Sequence, residues 1–168
     1  HSQVKVGVLI LNAWDDGTDH LKYKGKSLDE VKSRLSGSPE LISDETEKEV
    51  LSYFHSIKEN SLYVLAGNRN TKMERLFTKE EIYSLINAAK QIFDVVLIDG
   101  GSHFDNINMF QSLKESGLRF LILNQQLKAR KTFTQVYQDV LYPLGYKKDD
   151  FLLILNQFEN KSHYHSIM

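Results

Sequence analysis

The chain has 168 residues, 41% of them apolar and 26% charged, with a formal net charge of −1 and no cysteine. That length suits one domain with a buried core. The near-neutral balance argues against nucleic acid or an anionic membrane as a partner, and the lack of thiols excludes disulfides, thiolate metal sites and cysteine nucleophiles. No apolar run approaches the ~20 residues of a membrane span, and no leader is visible, although His1-Ser2 reads as a cloning remnant. The expectation is a cytoplasmic protein of a reducing compartment.

In chain order, the first apolar run, Val4–Asn12, reads as a strand, and the polar stretch Ala13–Lys26 as a loop. Ser27-Leu28-Asp29-Glu30 has the spacing of a capping box and opens a helix to about Leu35, before Ser38-Pro39 breaks the pattern. A second helix is predicted over Asp44–Lys58, with Val50, Leu51, Phe54 and Ile57 on one face. Ser61–Ala66 is a strand and Gly67–Phe77 a loop. Thr78-Lys79-Glu80-Glu81 is another capping box, opening a helix through Ile92 that buries Ile82, Leu85, Ile86 and Ala89. Strand Phe93–Asp99, a helix near Asn106–Ser116 and strand Arg119–Asn124 follow. Lys128, Arg130 and Lys131 cluster ahead of a helix near Thr132–Leu141, which Pro143 ends, and Phe151–Asn156 is the last strand.

Most of these strands are nearly continuous apolar runs rather than alternating ones, which marks strands covered on both faces. Their alternation with helices predicts one α/β domain over residues 1–168: three layers, with a doubly wound, mainly parallel sheet flanked by helices. In such sheets ligands bind at loops following strand C-termini.

The strongest local signal is Phe93-Asp94-Val95-Val96-Leu97-Ile98-Asp99-Gly100-Gly101. A buried strand delivers the Asp99 carboxylate to the sheet edge, where it can hold the water shell of a Mg²⁺ ion. The two glycines let a phosphate or base approach the backbone. The plainer alternative is Asp-Gly turn chemistry. Gly25-Lys26-Ser27 mimics the end of a phosphate loop, but the position of the leading glycine is His20, so a basic loop feeding a capped helix is the better reading. The histidines have no metal-ligand spacing; His163 and His165 belong to a tail. Trp14, beside Asp15 and Asp16, is either a stacking residue or a loop anchor.

Several segments, taken in order, resemble MinD/ParA-type ATPases. Val8-Leu9-Ile10-Leu11-Asn12-Ala13-Trp14 is similar to that family's second strand, Ser27–Val31 to a following helix, and Ser61–Gly67 to its next strand. Phe93–Asp99 resembles the family's Walker B strand, Phe120–Asn124 the strand after it, and Leu152–Asn156 the late strand whose terminal Asn reads adenine. The resemblance implies Asp99, Gly100 and Asn156 as nucleotide-facing residues and Asp99 as the Mg²⁺ residue. It assigns no catalytic residue. It further implies work in spatial organisation, such as pilus or secretion-machine positioning or DNA partition, through homodimers and protein partners.

The departures are specific. The family's first strand and its Lys-Gly-Gly-x-Gly-Lys-[Ser/Thr] loop would precede Val4, and the family's Asp-x-Asp pair reads Asn12-Ala13-Trp14 here. Without the loop, no nest of N–H groups and no lysine cradles phosphates. Two readings stay open: a fragment whose loop lies upstream, with ATP and Mg²⁺ as its ligands, or a degenerate, non-hydrolysing pseudo-ATPase. The family's first strand is central in its sheet, so its loss would leave two unpaired edges, with Val4–Asn12 the candidate to fill the gap. Two alternatives remain. Asp94–Asn106 also resembles the IDG-x-H turn of methyltransferases that use S-adenosylmethionine, with His103 near the metal or substrate. The scaffold could also be a ligand-free interaction module.

Overall fold

The computed structural model describes residues 3–12, 17–19, 21–37, 47–58, 61–70, 72 and 76–157. Trp14, Asp15, Asp16, His20, Ser38-Pro39, His163 and His165 lie outside the described residues. The chain forms two compact units, His1–Glu115 and Ser116–Met168.

In the first unit the elements are β1 (Val6–Ile10), α1 (Leu28–Gly37), α2 (Glu47–Leu51), β2 (His55–Lys58), β3 (Leu62–Leu65), α3 (Lys79–Ile92), β4 (Val95–Asp99) and α4 (Ile107–Glu115). The sheet order is β2-β3-β1-β4. β1 runs parallel to both β3 and β4, with Leu9 opposite Leu65 on one side and Ile98 on the other, while β2 is antiparallel to β3. The architecture is α/β, with a mainly parallel sheet flanked by helices, as the alternation of apolar runs and capped helices predicts. β1, within the predicted run Val4–Asn12, lies between β3 and β4.

The core lies on the sheet face carrying Leu9, Leu11 and Leu65. These pack with Leu28, Val31 and Leu35 of α1 and with Ile82, Leu85, Ile86 and Ala89 of α3. Gly7 is required on this face: a Cβ there would lie 2.3 Å from the Phe93 ring. The predicted capping box at Thr78 is complete, since the hydroxyl accepts from Glu81 N and the Glu81 carboxylate accepts from Thr78 N.

One predicted helix is corrected. Asp44–Lys58 is not a single helix. Residues 44–46 are outside the described set, α2 ends at Leu51, and His55–Lys58 is a strand. Tyr53 and Phe54 turn into the core instead of continuing the helix, and Phe54 meets Phe93 edge-on at 5.0 Å. The sequence hid β2 because an edge strand with one polar face and a register shift between Ser56 and Lys58 shows no apolar alternation.

The second unit contains β5 (Phe120–Leu123), α5 (Leu127–Val136), a π-helical turn Tyr137–Leu141, a 3₁₀ turn Lys148–Asp150 and β6 (Leu152–Leu155). β5 and β6 pair in parallel. α5 starts at Leu127, not near Thr132, so Lys128, Arg130 and Lys131 lie on its first turns and not ahead of it. Asn124 Oδ1 accepts from Gln126 N, and this side-chain turn starts the helix early.

Candidate functional site

Asp99 is the last residue of β4, and its backbone carbonyl accepts from Leu11 N at 2.8 Å, which ties the tips of β4 and β1 together. One carboxylate oxygen, Oδ1, accepts from Gly101 N at 2.9 Å, and the residue is exposed. Gly101 takes φ +73°, a conformation glycine adopts without cost, and a Cβ there would meet Asn12 Oδ1 at 2.7 Å. The Asn12 amide therefore packs directly on the turn that follows Asp99. Gly100 lies against the Met109 sulfur, 3.0 Å from where its Cβ would be. Asn106, almost fully buried, caps α4: Oδ1 accepts from Met109 N at 2.9 Å and Nδ2 donates to the His103 carbonyl at 3.3 Å.

Asp99, Gly100, Gly101 and Asn12 are thus brought together at the carboxyl edge of the parallel strands, where ligands of open α/β sheets bind. Chemically, the turn offers one exposed carboxylate, held through Oδ1 by Gly101 N. A single carboxylate suits Mg²⁺, which keeps most of its water shell. Among the described residues, no group of three or more His, Asp or Glu side chains is placed to hold a metal by itself.

The neighbouring strand tip behaves differently. Ser27 bridges to Ala66, and its N–H and hydroxyl both donate to Glu30 Oε2, at 2.7 and 2.9 Å. The predicted box at Ser27 is therefore half formed: Glu30 reaches back, while the serine hydroxyl turns to the carboxylate. The Ser27 N–H foremost holds the Glu30 carboxyl below its ordinary pKa, helped by the Ser27 hydroxyl and Arg69. The Lys26 ammonium lies over the Tyr53 ring at 4.9 Å. A carboxylate at the helix start and a lysine turned to an aromatic ring confirm that Gly25-Lys26-Ser27 is no phosphate cradle.

Two buried asparagines stand out. Asn68, just beyond β3, and Asn108, in the first turn of α4, are 2% and 0% exposed, and neither side-chain amide has a hydrogen-bond partner among the described residues. Asn108 has no sequence signal, because Asn at the second position of a helix is ordinary.

Asn156 lies in the second unit, past β6. Its N–H donates to the Leu123 carbonyl at 2.6 Å, and its Oδ1 accepts from Gln157 N at 2.9 Å, with Gln157 at φ 55°. His103 is exposed on the loop after β4, and His55 stacks edge-on against Tyr23 at 5.3 Å.

The fold and this edge define an open, mainly parallel α/β domain with a carboxylate-glycine turn at its ligand-binding side. No family model matches the chain, and no curated protein matches it in sequence. Its fold is that of the ParA/MinD-type proteins. A ParA family ATPase from Chlorobium tepidum TLS superposes with a TM-score of 0.70 at 14% identity, over 93% of this chain and 62% of that one. The septum site-determining protein MinD complexed with Mg-ADP, from Pyrococcus horikoshii OT3, gives 0.58 at 17% identity over 95% and 60%. A plasmid partition protein from Borrelia burgdorferi gives 0.59 at 10% identity over 94% and 68%. The chain thus spans less than two thirds of the first two. Among the described residues, no helix is long and apolar enough to cross a membrane.

Proposed function

We propose that residues 1–168 belong to a single ParA/MinD-like domain acting in spatial organisation, such as positioning or partition, through self-association and protein partners. Within it, Asp99 orders the Mg²⁺ of a bound nucleotide through water, Gly100 lets the phosphates approach the backbone, and Asn156 reads adenine. These residues by themselves do not complete a hydrolytic site: the sequence contains no phosphate loop, and Gly25-Lys26-Ser27 is otherwise engaged. The observation that carries the reading is the Asp99 turn, a carboxylate fixed by Gly101 N at the carboxyl end of an apolar strand parallel to β1. The fold shared with MinD complexed with Mg-ADP supports the ligand class.

Calorimetric titration with Mg-ATP tests it. The chain is expected to bind with millimolar affinity or weaker, and Asp99→Ala to remove the Mg²⁺ dependence of whatever binding is seen. Micromolar affinity would refute the incomplete site. A thermal shift with S-adenosylmethionine and none with nucleotide would transfer the edge to the methyltransferase reading. Sedimentation reports self-association directly, and a strictly monomeric chain at high concentration counts against it.

A further inference from the structure

Among the described residues, Asp99 is the one aspartate followed by glycine. An aspartyl side chain can be attacked by the backbone nitrogen of the next residue, which closes a five-membered imide. Glycine is the least hindered neighbour for that attack, because no Cβ shields its nitrogen. At Asp99 the reacting groups are already close. The carboxylate is exposed, and Gly101 N donates to its Oδ1 at 2.9 Å, which folds the side chain back along Gly100. Among the described residues, no hydrogen bond engages the Gly100 N–H.

One contact restrains the reaction. Leu11 N donates to the Asp99 carbonyl at 2.8 Å and so fixes the plane of the Asp99–Gly100 peptide. In an extended strand that plane turns the next nitrogen away from the side chain, so ring closure needs rotation about the Asp99 Cα–C bond. The Leu11 bond must break first. It lies at the end of the ladder: the β1–β4 register stops at Ile10 opposite Asp99, and Gly100 is already outside the strand. Among the described residues β4 pairs with β1 alone, so its tip is held from one side. Fraying of such terminal bonds costs far less than global unfolding.

We propose that Asp99-Gly100 is a site of spontaneous backbone isomerisation, gated by fraying of the β4 tip. Gly100 N bonds to Asp99 Cγ as the bond from Cγ to one protonated carboxyl oxygen breaks. That oxygen leaves as water with the proton from Gly100 N, and nothing is oxidised or reduced. Water then opens the imide at either carbonyl. Opening at the former backbone carbonyl leaves the chain running through the side chain, as isoaspartate, one methylene longer. The free carboxylate is then attached directly to Cα, and the bond from Gly101 N that fixed it is lost. The change dismantles the Asp99 turn and sets a chemical lifetime on it, whichever ligand the turn serves. The proposal does not depend on the nucleotide reading.

The test follows isoaspartate at residue 99 while the 168-residue chain is incubated at neutral pH. Peptide mapping with electron-transfer fragmentation distinguishes the two backbones. The chain unfolded in guanidinium gives the ungated rate, with the Asp16-Gly17 pair as a second reference. Isomerisation at Asp99 should run roughly tenfold to a hundredfold slower in the folded chain than in the unfolded one, the cost of local fraying. It should hardly respond to denaturant below the unfolding transition, because fraying exposes little surface. Gly100→Ala should slow it several-fold further. Its Cβ would lie 3.0 Å from the Met109 sulfur. Should that variant fail to fold, Asp99→Asn is the second measure: it loses ammonia through the same imide and should convert faster, read as a mass gain on the intact protein. A folded rate equal to the unfolded one, or one that climbs in step with global unfolding, would overturn the gate. No isoaspartate at residue 99 of the folded chain, over a period in which the unfolded chain converts, would overturn the site.

Discussion

Removing the Glu81 carboxylate should unfasten α1 from α3. Glu81 is 3% exposed, and it accepts from the Lys32 ammonium on both oxygens at 2.6 and 2.7 Å, from the Ser36 hydroxyl at 2.7 Å and from Thr78 N at 2.8 Å. The Lys32 ammonium is itself mostly buried and lies over the Phe77 ring at 4.8 Å. Glu81→Ala leaves that cation unpaired and opens the Thr78 cap, a loss of about 3–5 kcal/mol. With a urea m-value of about 2 kcal/mol/M, the unfolding midpoint falls by roughly 2 M. The double variant Lys32→Met/Glu81→Met removes both charges and should recover most of the loss, because a buried pair replaced by apolar side chains of like volume is close to neutral. Burial pushes the Glu81 pKa up, but the bonds from Lys32, Thr78 N and Ser36 outweigh it, and the net value lies below the ordinary one. The carboxyl therefore adds stability at any pH above its unfolded value of roughly 4.3, and that share is lost as pH falls through the lower folded value. Urea titrations of the three proteins at neutral and acid pH decide the matter. A Glu81→Ala loss below about 1 kcal/mol, or a double variant no more stable than Glu81→Ala, would refute the reasoning.

Two further substitutions probe the sheet and the site. Gly7→Ala drives a methyl into the Phe93 ring and should cost about 1–3 kcal/mol by overpacking; adding Phe93→Leu should return part of it in the same urea assay. Gly101→Ala forces an L-residue to φ +73° against the Asn12 amide and should cost about 1–2 kcal/mol, with Gly101→Asn milder because Asn tolerates that region. Crystal or NMR structures of the Gly101 variants should show the Asp99 turn displaced.

The sequence reading succeeded where the signal was chemical and local. β1, β3, β4, β5 and β6 all fall inside predicted apolar runs, because strands of a parallel sheet are apolar along their length and have few lookalikes. The Thr78 box fixed the start of α3 to the residue. It failed where tertiary contacts decide. Tyr53 and Phe54 fit a helical face as well as they fit the core turn they occupy, and β2 exists because β3 offers it an edge. At the site, Asp99 and Gly100 were legible as a strand tip followed by glycines. The Asn12 contact with Gly101 joins residues far apart in sequence and could not be read from either. That the side-chain amides of Asn68 and Asn108 are buried without a partner among the described residues follows from packing, which residue type alone does not disclose.

The apolar strands leave an energetic question in each unit. In β4, Val95 and Leu97 are exposed; in the β5–β6 pair, so are Phe120, Ile122, Leu152 and Ile154, at 43–65%. A two-stranded sheet is marginal in water by itself, and parallel strands this apolar are normally covered on both faces. Finishing the burial of a large aliphatic or aromatic side chain contributes at most about 1.5–3 kcal/mol. Even half of that, over six side chains, is roughly 5–9 kcal/mol, as much as the whole stability of many domains. The 168 residues alone should therefore unfold at low urea and bind dyes that report exposed apolar surface, more strongly through Ser116–Met168 than through the better-packed first unit. A cooperative transition above about 5 M urea with no dye binding would mean that these side chains need no further cover, and that β4 is stable as an edge.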